Sequence, residues 1–206
     1  MNPILQFFDL IFYQPIYQAL LFFYNYLRDF GLAVISLTIL IRLFLFPLNY
    51  KMSKEQEKFL RLKKEIENIE KKYRGEEKTK EILTLYQKNK VNPLWSFFSF
   101  LIQFPILIAL YQVFLKGLNQ FDPNFFSIDL SRPNFFLVFC AMLLQIFYFN
   151  LVQKITKNKE IPPQISLNYF FALLTFLILL KLPSAFSLYF AISYVFLIFQ
   201  KLIFHV

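Results

Sequence analysis

One arginine lies deep inside a long apolar segment of the chain. Arg42 is the only charged residue between Gly31 and Tyr50, and it precedes the end of that segment by about 12 Å along a helix. Placing an arginine near the middle of a bilayer costs about 2.5–3.5 kcal/mol on insertion scales. Its guanidinium stays charged at any accessible pH and carries a rigid set of hydrogen-bond donors. The position therefore predicts that this charge has a partner. The partner is water, the backbone, a lipid phosphate or a group of a molecule that binds transiently.

Two interpretations of Arg42 are open. An arginine near a helix end can extend its side chain to the headgroups, although from this depth the reach is marginal. Alternatively, the guanidinium faces a water-filled cavity between helices. No Asp or Glu occurs in any of the apolar segments, so an ion pair inside the membrane is excluded. We favour the cavity.

Polar residues recur on the other apolar segments at spacings that would line such a cavity. Each of them alone is also explained by a hydrogen bond between packed helices. Together with an unpaired arginine, they predict a hydrophilic groove that lies partly inside the bilayer. The candidate groove residues are Arg42, Thr38, Ser96, Ser99, Gln103, Gln145, Tyr189, Ser193 and Gln200.

Long apolar segments alternate with short charged ones along the 206 residues. The chain is 57% hydrophobic and 21% aromatic, and only 17% of its residues are charged, whereas a soluble domain usually has about a quarter. Because about twenty apolar residues suffice to cross a bilayer, the sequence predicts an all-α integral membrane protein that forms a single domain over residues 1–206. Its five predicted spans are residues 31–50, 95–114, 135–152, 165–180 and 185–204.

The N-terminal segment, residues 3–28, is apolar and aromatic with polar residues interspersed. It lacks the basic start and the small-residue cleavage site of a signal peptide. We interpret it as a helix that lies in or near the membrane interface, with an additional span as the alternative. The sequence leaves open whether residues 1–27 lie at the interface, cross the membrane or are removed.

The distribution of Lys and Arg predicts the orientation in the membrane. With five spans, residues 51–92, the loop 154–160 and the C-terminus lie on one side. That side carries 17 Lys and Arg residues, and the other side carries four. The charged side is therefore predicted to be cytoplasmic and the N-terminus to be outside. The expected location is the bacterial plasma (inner) membrane, which the chain crosses several times.

Residues 51–92 form the one segment with a soluble composition. Apolar residues spaced by three and four positions predict an amphipathic helix over 59–73 and a second, shorter one over 79–86, with a turn at 74–77. The predicted result is a helical hairpin that stands about 30 Å off the cytoplasmic face of the membrane. Such a hairpin is either a handle for a partner or a passive spacer.

The titratable residues weigh against catalysis and metal binding. The chain has one cysteine, Cys140, and one histidine, His205, so no Cys/His metal cluster can be assembled. Because that histidine lies at the extreme C-terminus, no Ser/His/Asp set is expected either. The net charge of +9 is explained by cytoplasmic segments beside anionic lipid rather than by dedicated nucleic-acid binding. We expect no cofactor, no metal and no catalytic residues.

Four parts of the chain form an ordered set of motifs. The first is the run 31–48, in which the arginine is followed by an apolar stretch that contains Pro47. The second comprises the segments 70–73, 85–88 and 92–94. The third is the run 101–111, and the fourth comprises residues 182–183, 188–190 and 200. In this order and with these gaps, they resemble the YidC-type membrane protein insertases of the YidC/Oxa/Alb superfamily. The resemblance covers nearly all of Phe30 to Gln200.

The resemblance implies a groove that is open to the cytoplasm and to lipid, in which Arg42 transiently holds a polar or acidic part of an incoming segment. It implies nascent membrane proteins and the lipid bilayer as partners, with the Sec translocon, the ribosome and a targeting receptor acting through residues 51–92. It also implies the small form of the family, without a large outer domain. The Asn that often follows the last-helix Tyr in the family is Tyr194 in this chain.

Three functions of different classes are therefore to be distinguished. The main one is an insertase and folding chaperone for small membrane proteins, which is not an enzyme. The second is an anion-binding transporter or channel subunit, against which the sequence shows no inverted repeat. The third is a non-catalytic membrane assembly factor that uses only the basic hairpin. Replacing Arg42 separates the three, because an insertase should selectively lose substrates with acidic tails, a transporter should lose flux, and an assembly factor of the third kind should be indifferent.

Overall fold

The computed structural model describes residues 3–89, 91, 94–155 and 162–204, which are mostly helical. The elements are α1 (Pro3–Phe8), a π-helical turn (Asp9–Tyr13), α2 (Gln14–Leu27), α3 (Phe30–Lys72), α4 (Gly75–Lys88), α5 (Leu94–Gln120), β1 (Asn124–Phe125), β2 (Ile128–Asp129), α6 (Phe135–Ile155), α7 (Pro162–Leu179) and α8 (Ser184–Phe204). The chain divides into two compact units. The first comprises Met1–Phe44 and Pro105–His205, and Leu45–Phe104 belong to the second.

Three helices in the described part of the chain are long and apolar enough to cross a membrane. They are Phe30–Lys51, Phe135–Val152 and Ser184–Ile203, with mean hydropathies of 2.2, 2.2 and 1.7. They coincide with three of the five predicted spans and confirm a chain that crosses the membrane more than once. The predicted spans 95–114 and 165–180 fall in α5 and α7, whose first residues have side chains outside the described set.

Helices α6, α7 and α8 pack together in the first unit. Helix α6 packs on both of the others, and a turn at residues 180–183 joins α7 directly to α8. Small residues, Ala141, Ala172 and Ala191, are buried in this unit, which is how spanning helices approach closely in the absence of a hydrophobic driving force. The phenol of Tyr169 on α7 donates to Asn150 Oδ1 on α6 over 3.0 Å.

The N-terminal segment packs against α5 within the same unit. The Tyr17 hydroxyl donates to Gln120 Oε1 over 2.8 Å, and Lys116 Nζ lies 3.9 Å from the centre of the Tyr17 ring. The rings of Tyr24 and Phe121 stack with their centres 3.9 Å apart. The predicted single helix over residues 3–28 is thus three consecutive helical segments that end at Arg28. Its placement at the membrane interface stays a prediction.

Two glycines allow close packing in this unit. A Cβ on Gly117 would lie 2.7 Å from Phe30 Cε2, and a Cβ on Gly31 would lie 2.7 Å from Phe125 Cβ. Real Cβ atoms do not approach so closely, and a packed interior has no room to yield. The glycines therefore let the rings of Phe30 and Phe125 lie directly on the α5 and α3 backbones.

The segment between α5 and α6 forms a small structured loop that the sequence analysis did not predict. Strands β1 and β2 pair antiparallel, and the two turn residues, Phe126 and Ser127, have positive φ angles of 43° and 66°. Such a turn usually takes Asn-Gly, so this pair gave no hairpin pattern to recognise. The loop carbonyls accept the first amides of α8: Ser184 N–H donates to Arg132 O over 3.0 Å, and Ala185 N–H to Leu130 O over 3.2 Å. The loop thereby caps the start of α8.

Asp129 fixes the end of this loop. Its Oδ1 accepts the Ser131 hydroxyl at 2.5 Å and the Ser131 backbone N–H at 2.9 Å, while Oδ2 lies 3.4 Å from Arg132 Nε. The Ser131 hydroxyl, with its backbone amide, holds the pKa of Asp129 below its usual value of 3.8. These bonds are stronger to the charged carboxylate than to the neutral acid, so they stabilise the loop most when Asp129 is ionised.

We expect the loop to lose stability in acid through Asp129. Because the folded-state pKa lies below the unfolded value of 3.8, the contribution is present above pH 3.8 and is lost as the pH falls through the folded-state pKa. Thermal unfolding against pH should show wild type more stable than Asp129→Asn near pH 7, with the difference vanishing in acid. A difference that does not change with pH would contradict this assignment.

The second unit contains the part of α3 that follows Phe44 and all of α4. Lys78 Nζ bridges to Glu70 Oε1 over 2.7 Å, which joins the two helices, and Leu62 is buried. The turn is shorter than the predicted residues 74–77, because Gly75 takes a positive φ of 61° and already begins α4. Glu76 and Glu77 therefore lie in the first turn of α4, where their negative charges interact favourably with the helix dipole and stabilise the helix.

Candidate functional site

Arg42 is buried in the first unit, with only 8% of its surface exposed. Its Cζ lies 5.9 Å from the centre of the Tyr189 ring on α8, so the guanidinium has an aromatic neighbour. Among the described residues, its Nε has no hydrogen-bond acceptor and no carboxylate lies within ion-pair distance of it. A buried permanent cation thus has no resident anion from this part of the chain.

Two further tyrosines lie within electrostatic reach of Arg42. They are Tyr148 on α6 and Tyr194 on α8, and their ring centres are 5.9 Å apart. The sequence analysis did not include either residue in the groove. Tyr148 lies one helical turn after Gln145 on the same face of α6, and that spacing could have indicated it.

Gln145 links three helices at this site. It is only 3% exposed, and its Nε2 donates to Thr175 Oγ1 on α7 over 3.5 Å. It also contacts the hydroxyl of Tyr194 on α8. Its Oε1 has no hydrogen-bond partner among the residues that the structure describes. This buried oxygen is therefore an acceptor that a water or a ligand can use.

The polar face of α8 carries two more such atoms. Ser193 is fully buried and Gln200 is 9% exposed. Neither Ser193 Oγ nor Gln200 Oε1 finds a hydrogen-bond partner within the described ranges. With Tyr189, they lie on one face of α8, as the sequence spacing predicts. Leaving a buried polar atom unpaired costs about 1–3 kcal/mol. This face of α8 is therefore better suited to contact with water or with a bound polar group than to packing without water.

For the other predicted groove residues, a place beside Arg42 stays a prediction. Thr38 is fully buried, but its hydroxyl donates to Val34 O of its own helix over 2.6 Å and so does not point a free donor at the site. Gln103 is half-buried in the second unit, and its position relative to Arg42 stays a prediction. The side chains of Ser96 and Ser99 lie outside the described residues.

One buried hydroxyl away from Arg42 was also not predicted from the sequence. Ser187 is fully buried near the start of α8, and its Oγ has no hydrogen-bond partner in the described part of the chain. It lies on a different face of α8 from Ser193. The same set of described residues contains no group of three His, Cys, Asp or Glu side chains that could hold a metal ion.

Comparisons with known proteins address the family. A model of the family described as 60Kd inner membrane protein matches residues 22–206. A protein of Fusobacterium nucleatum named membrane protein insertase YidC is 31% identical over 195 residues, which are 92% of this chain and 94% of that protein. A protein of the same name from Buchnera aphidicola is 32% identical over 91% of this chain, but this chain spans only 36% of its length.

A solved structure shares the fold. It is described as an active YidC insertase crystal structure with the first transmembrane domain resolved. The TM-score is 0.72 at 24% sequence identity, over 97% of this chain and 47% of that one. Because the family match covers most of the sequence and the Fusobacterium protein matches over nearly its whole length, the chain belongs to the 60Kd inner membrane protein family, the family of the YidC-type membrane protein insertases.

Proposed function

We propose that this chain inserts small membrane proteins into the bacterial inner membrane and helps them fold, using a hydrophilic groove centred on Arg42. The observation that carries the proposal is a buried guanidinium with tyrosines around it and no carboxylate beside it among the described residues. The names of the relatives favour this function over an anion transporter.

The groove would act by lowering the cost of moving a polar tail through the membrane. Arg42 would bind an acidic or polar group of the substrate by charge-assisted hydrogen bonds, which are about twice as strong as neutral ones. The unpaired oxygens of Gln145, Ser193 and Gln200 supply further polar contacts. Transfer of the substrate's apolar segment into lipid, at about 0.8 kcal/mol per buried CH₂, would then drive the step.

The proposed arrangement has five spanning helices, α3, α5, α6, α7 and α8, with the N-terminal segment at the membrane interface and the whole chain forming one insertase core. The excess of Lys and Arg in residues 51–92 supports a cytoplasmic hairpin and C-terminus and an outside N-terminus. In this orientation the loop 121–134 lies at the outer surface.

The substrates would be nascent membrane proteins, and the bilayer itself is the second partner. Residues 51–92 would offer the contact surface for a Sec translocon, a ribosome or a targeting receptor. The exposed Lys and Glu side chains of α4, together with the half-exposed Leu83, supply the mixture of charge and apolar surface that a transient protein contact uses.

The groove hypothesis predicts which buried positions of α8 water reaches from the cytoplasmic side. In a Cys140→Ser background, a cysteine at Ser193 should react with a membrane-impermeant thiol reagent added from the cytoplasmic side. A cysteine at Ser187 should not react, because that hydroxyl lies on another face of α8 and about 9 Å further from its C-terminal end. Both positions are fully buried by protein, so the pair controls for burial. Equal protection of both cysteines would indicate a dry bundle and contradict the groove.

Reconstitution tests the function directly. Liposomes that contain the purified chain should insert a short single-span substrate with an acidic tail, and its tail should become protected from added protease. Empty liposomes and liposomes with an unrelated multi-span protein supply the baseline. Protection that does not exceed this baseline would overturn the proposed function.

A further inference from the structure

An apolar groove of about 270 Å³ lies in the first unit, between α2 and α3. It is lined by Phe22, Phe23, Tyr26, Leu27 and Ser36. Phe22 and Tyr26 expose 66% and 81% of their surfaces, so the groove is open on the side away from the protein. Because α3 crosses the membrane, this opening faces lipid over the part of the groove that Ser36 lines.

A cation lies at one end of this groove. Arg28 directly follows the groove residue Leu27, takes a left-handed conformation with φ of 57°, and is exposed. Its backbone N–H donates to Tyr24 O over 2.8 Å, which ends α2 and fixes the backbone at this point. The neighbouring carboxylate of Asp29 accepts the Leu32 N–H over 2.8 Å at the start of α3. Within the described residues, Arg28 forms no ion pair.

The order of these features matches the order of groups in a phospholipid. Ser36 lies about 9 Å along α3 from its first residue, Phe30, at 1.5 Å per residue, and Arg28 precedes that helix by two residues. The surface between them is apolar, and an aromatic ring, Tyr26, lies near the charged end, where tyrosines favour the headgroup region. A charged headgroup at Arg28 would therefore be followed by an acyl chain in the groove.

We propose that this groove binds an anionic phospholipid, with one acyl chain between α2 and α3 and the phosphate on Arg28. An arginine binds a phosphate through two parallel hydrogen bonds, and its positive charge favours a lipid with net negative charge over a zwitterionic one. The bound lipid fills the gap between α2 and α3 and so holds the N-terminal segment on the spanning helices.

A photoreactive lipid tests the proposal. The full chain is reconstituted in liposomes of phosphatidylcholine that contain a trace of phosphatidylglycerol with a diazirine on its acyl chain. Mass spectrometry after illumination should place the cross-links within residues 22–36. Arg28→Gln should reduce this labelling about fivefold, the loss expected for one Arg near an anionic headgroup, and Arg28→Lys should reduce it less.

A matched cation serves as the control. Lys181 is also exposed, and it lies in the turn before Ser184. Ser184 N–H bonds to the loop 121–134, whose Phe125 packs on Gly31 near the start of α3. Lys181 therefore lies at the same end of the unit as Arg28. Lys181→Gln should leave the labelling of residues 22–36 unchanged. Ser36→Phe, which fills the groove, should reduce the labelling although it leaves the charge of Arg28 in place.

Excess unlabelled phosphatidylglycerol should compete better than phosphatidylcholine. The proposal is overturned if Arg28→Gln labels as well as wild type, or if cross-links are spread evenly over lipid-facing residues such as Phe135 and Phe139. Equal unfolding temperatures of wild type and Arg28→Gln would show that a loss of labelling reflects the lost charge and not a lost fold.

Discussion

Arg42→Glu should abolish the insertion of a substrate with an acidic tail, and Arg42→Ala should reduce it by about tenfold or more. A hydrogen bond to a charged group contributes about 1.5–3 kcal/mol, and 1.4 kcal/mol corresponds to a factor of ten. The glutamate adds repulsion between two carboxylates at a buried position. The measurement is the initial rate of tail protection in proteoliposomes, with equal amounts of reconstituted protein.

The substrate supplies the matched control for this prediction. A variant of the same substrate with a neutral tail should lose little when Arg42 is replaced, because it offers no carboxylate to the guanidinium. Arg42→Lys should keep part of the activity, since it retains the charge but not the planar donor set. Lys181→Ala, which removes an exposed cation in a turn, should behave as wild type. Equal losses for acidic and neutral tails would argue that Arg42 supports the fold and not the substrate.

Gly31→Ala should lower the free energy of unfolding by about 1–3 kcal/mol, the usual range for forcing an extra carbon into a packed site. The added Cβ would lie 2.7 Å from Phe125 Cβ and closer still to the ring. The ring cannot leave without disturbing the loop that caps α8. The change is measured by denaturant titration in detergent with circular dichroism as the signal, or by thermal unfolding.

A double-mutant cycle distinguishes this clash from a general effect of replacing a glycine. In a Phe125→Ala background, Gly31→Ala should cost much less, with a coupling of about 0.5–3 kcal/mol between the two positions. Gly75→Ala is the comparison, because its Cβ would meet no atom within 4 Å and its cost comes from the positive φ alone. That cost should not depend on the side chain of Phe125, so a rescue of Gly75→Ala by Phe125→Ala would contradict the argument.

The spanning helices and the central arginine could be predicted from the sequence because both depend on local composition. A run of apolar residues sets a span, and a lone charge inside it stands out at once, as for Arg42. The three spans found by length and hydropathy agree with the predicted ranges to within a few residues. Boundaries such as the end of α5 at Gln120 differ because the helix continues past its apolar part.

The neighbours of Arg42 could be predicted only in part, because they depend on how α6 and α8 rotate in the bundle. Gln145 and Tyr189 were found from their polar atoms within apolar runs. Tyr148 and Tyr194 were not, since a tyrosine on a spanning helix can face lipid, a neighbour or the interface equally well. That Thr38 lines the groove stays a prediction, because its hydroxyl donates to the preceding turn of its own helix and so shows no partner across the groove.

The capping of α8 by the loop 121–134 has a consequence for how this protein is made. The chain leaves the ribosome from its N-terminus, so the carbonyls of Leu130 and Arg132 are synthesised some fifty residues before the amides of Ser184 and Ala185 that they accept. Until α8 is made, those carbonyls need other partners. This end of the bundle is therefore completed only when α8 docks on the loop, which is the kind of step that an insertase performs for other membrane proteins.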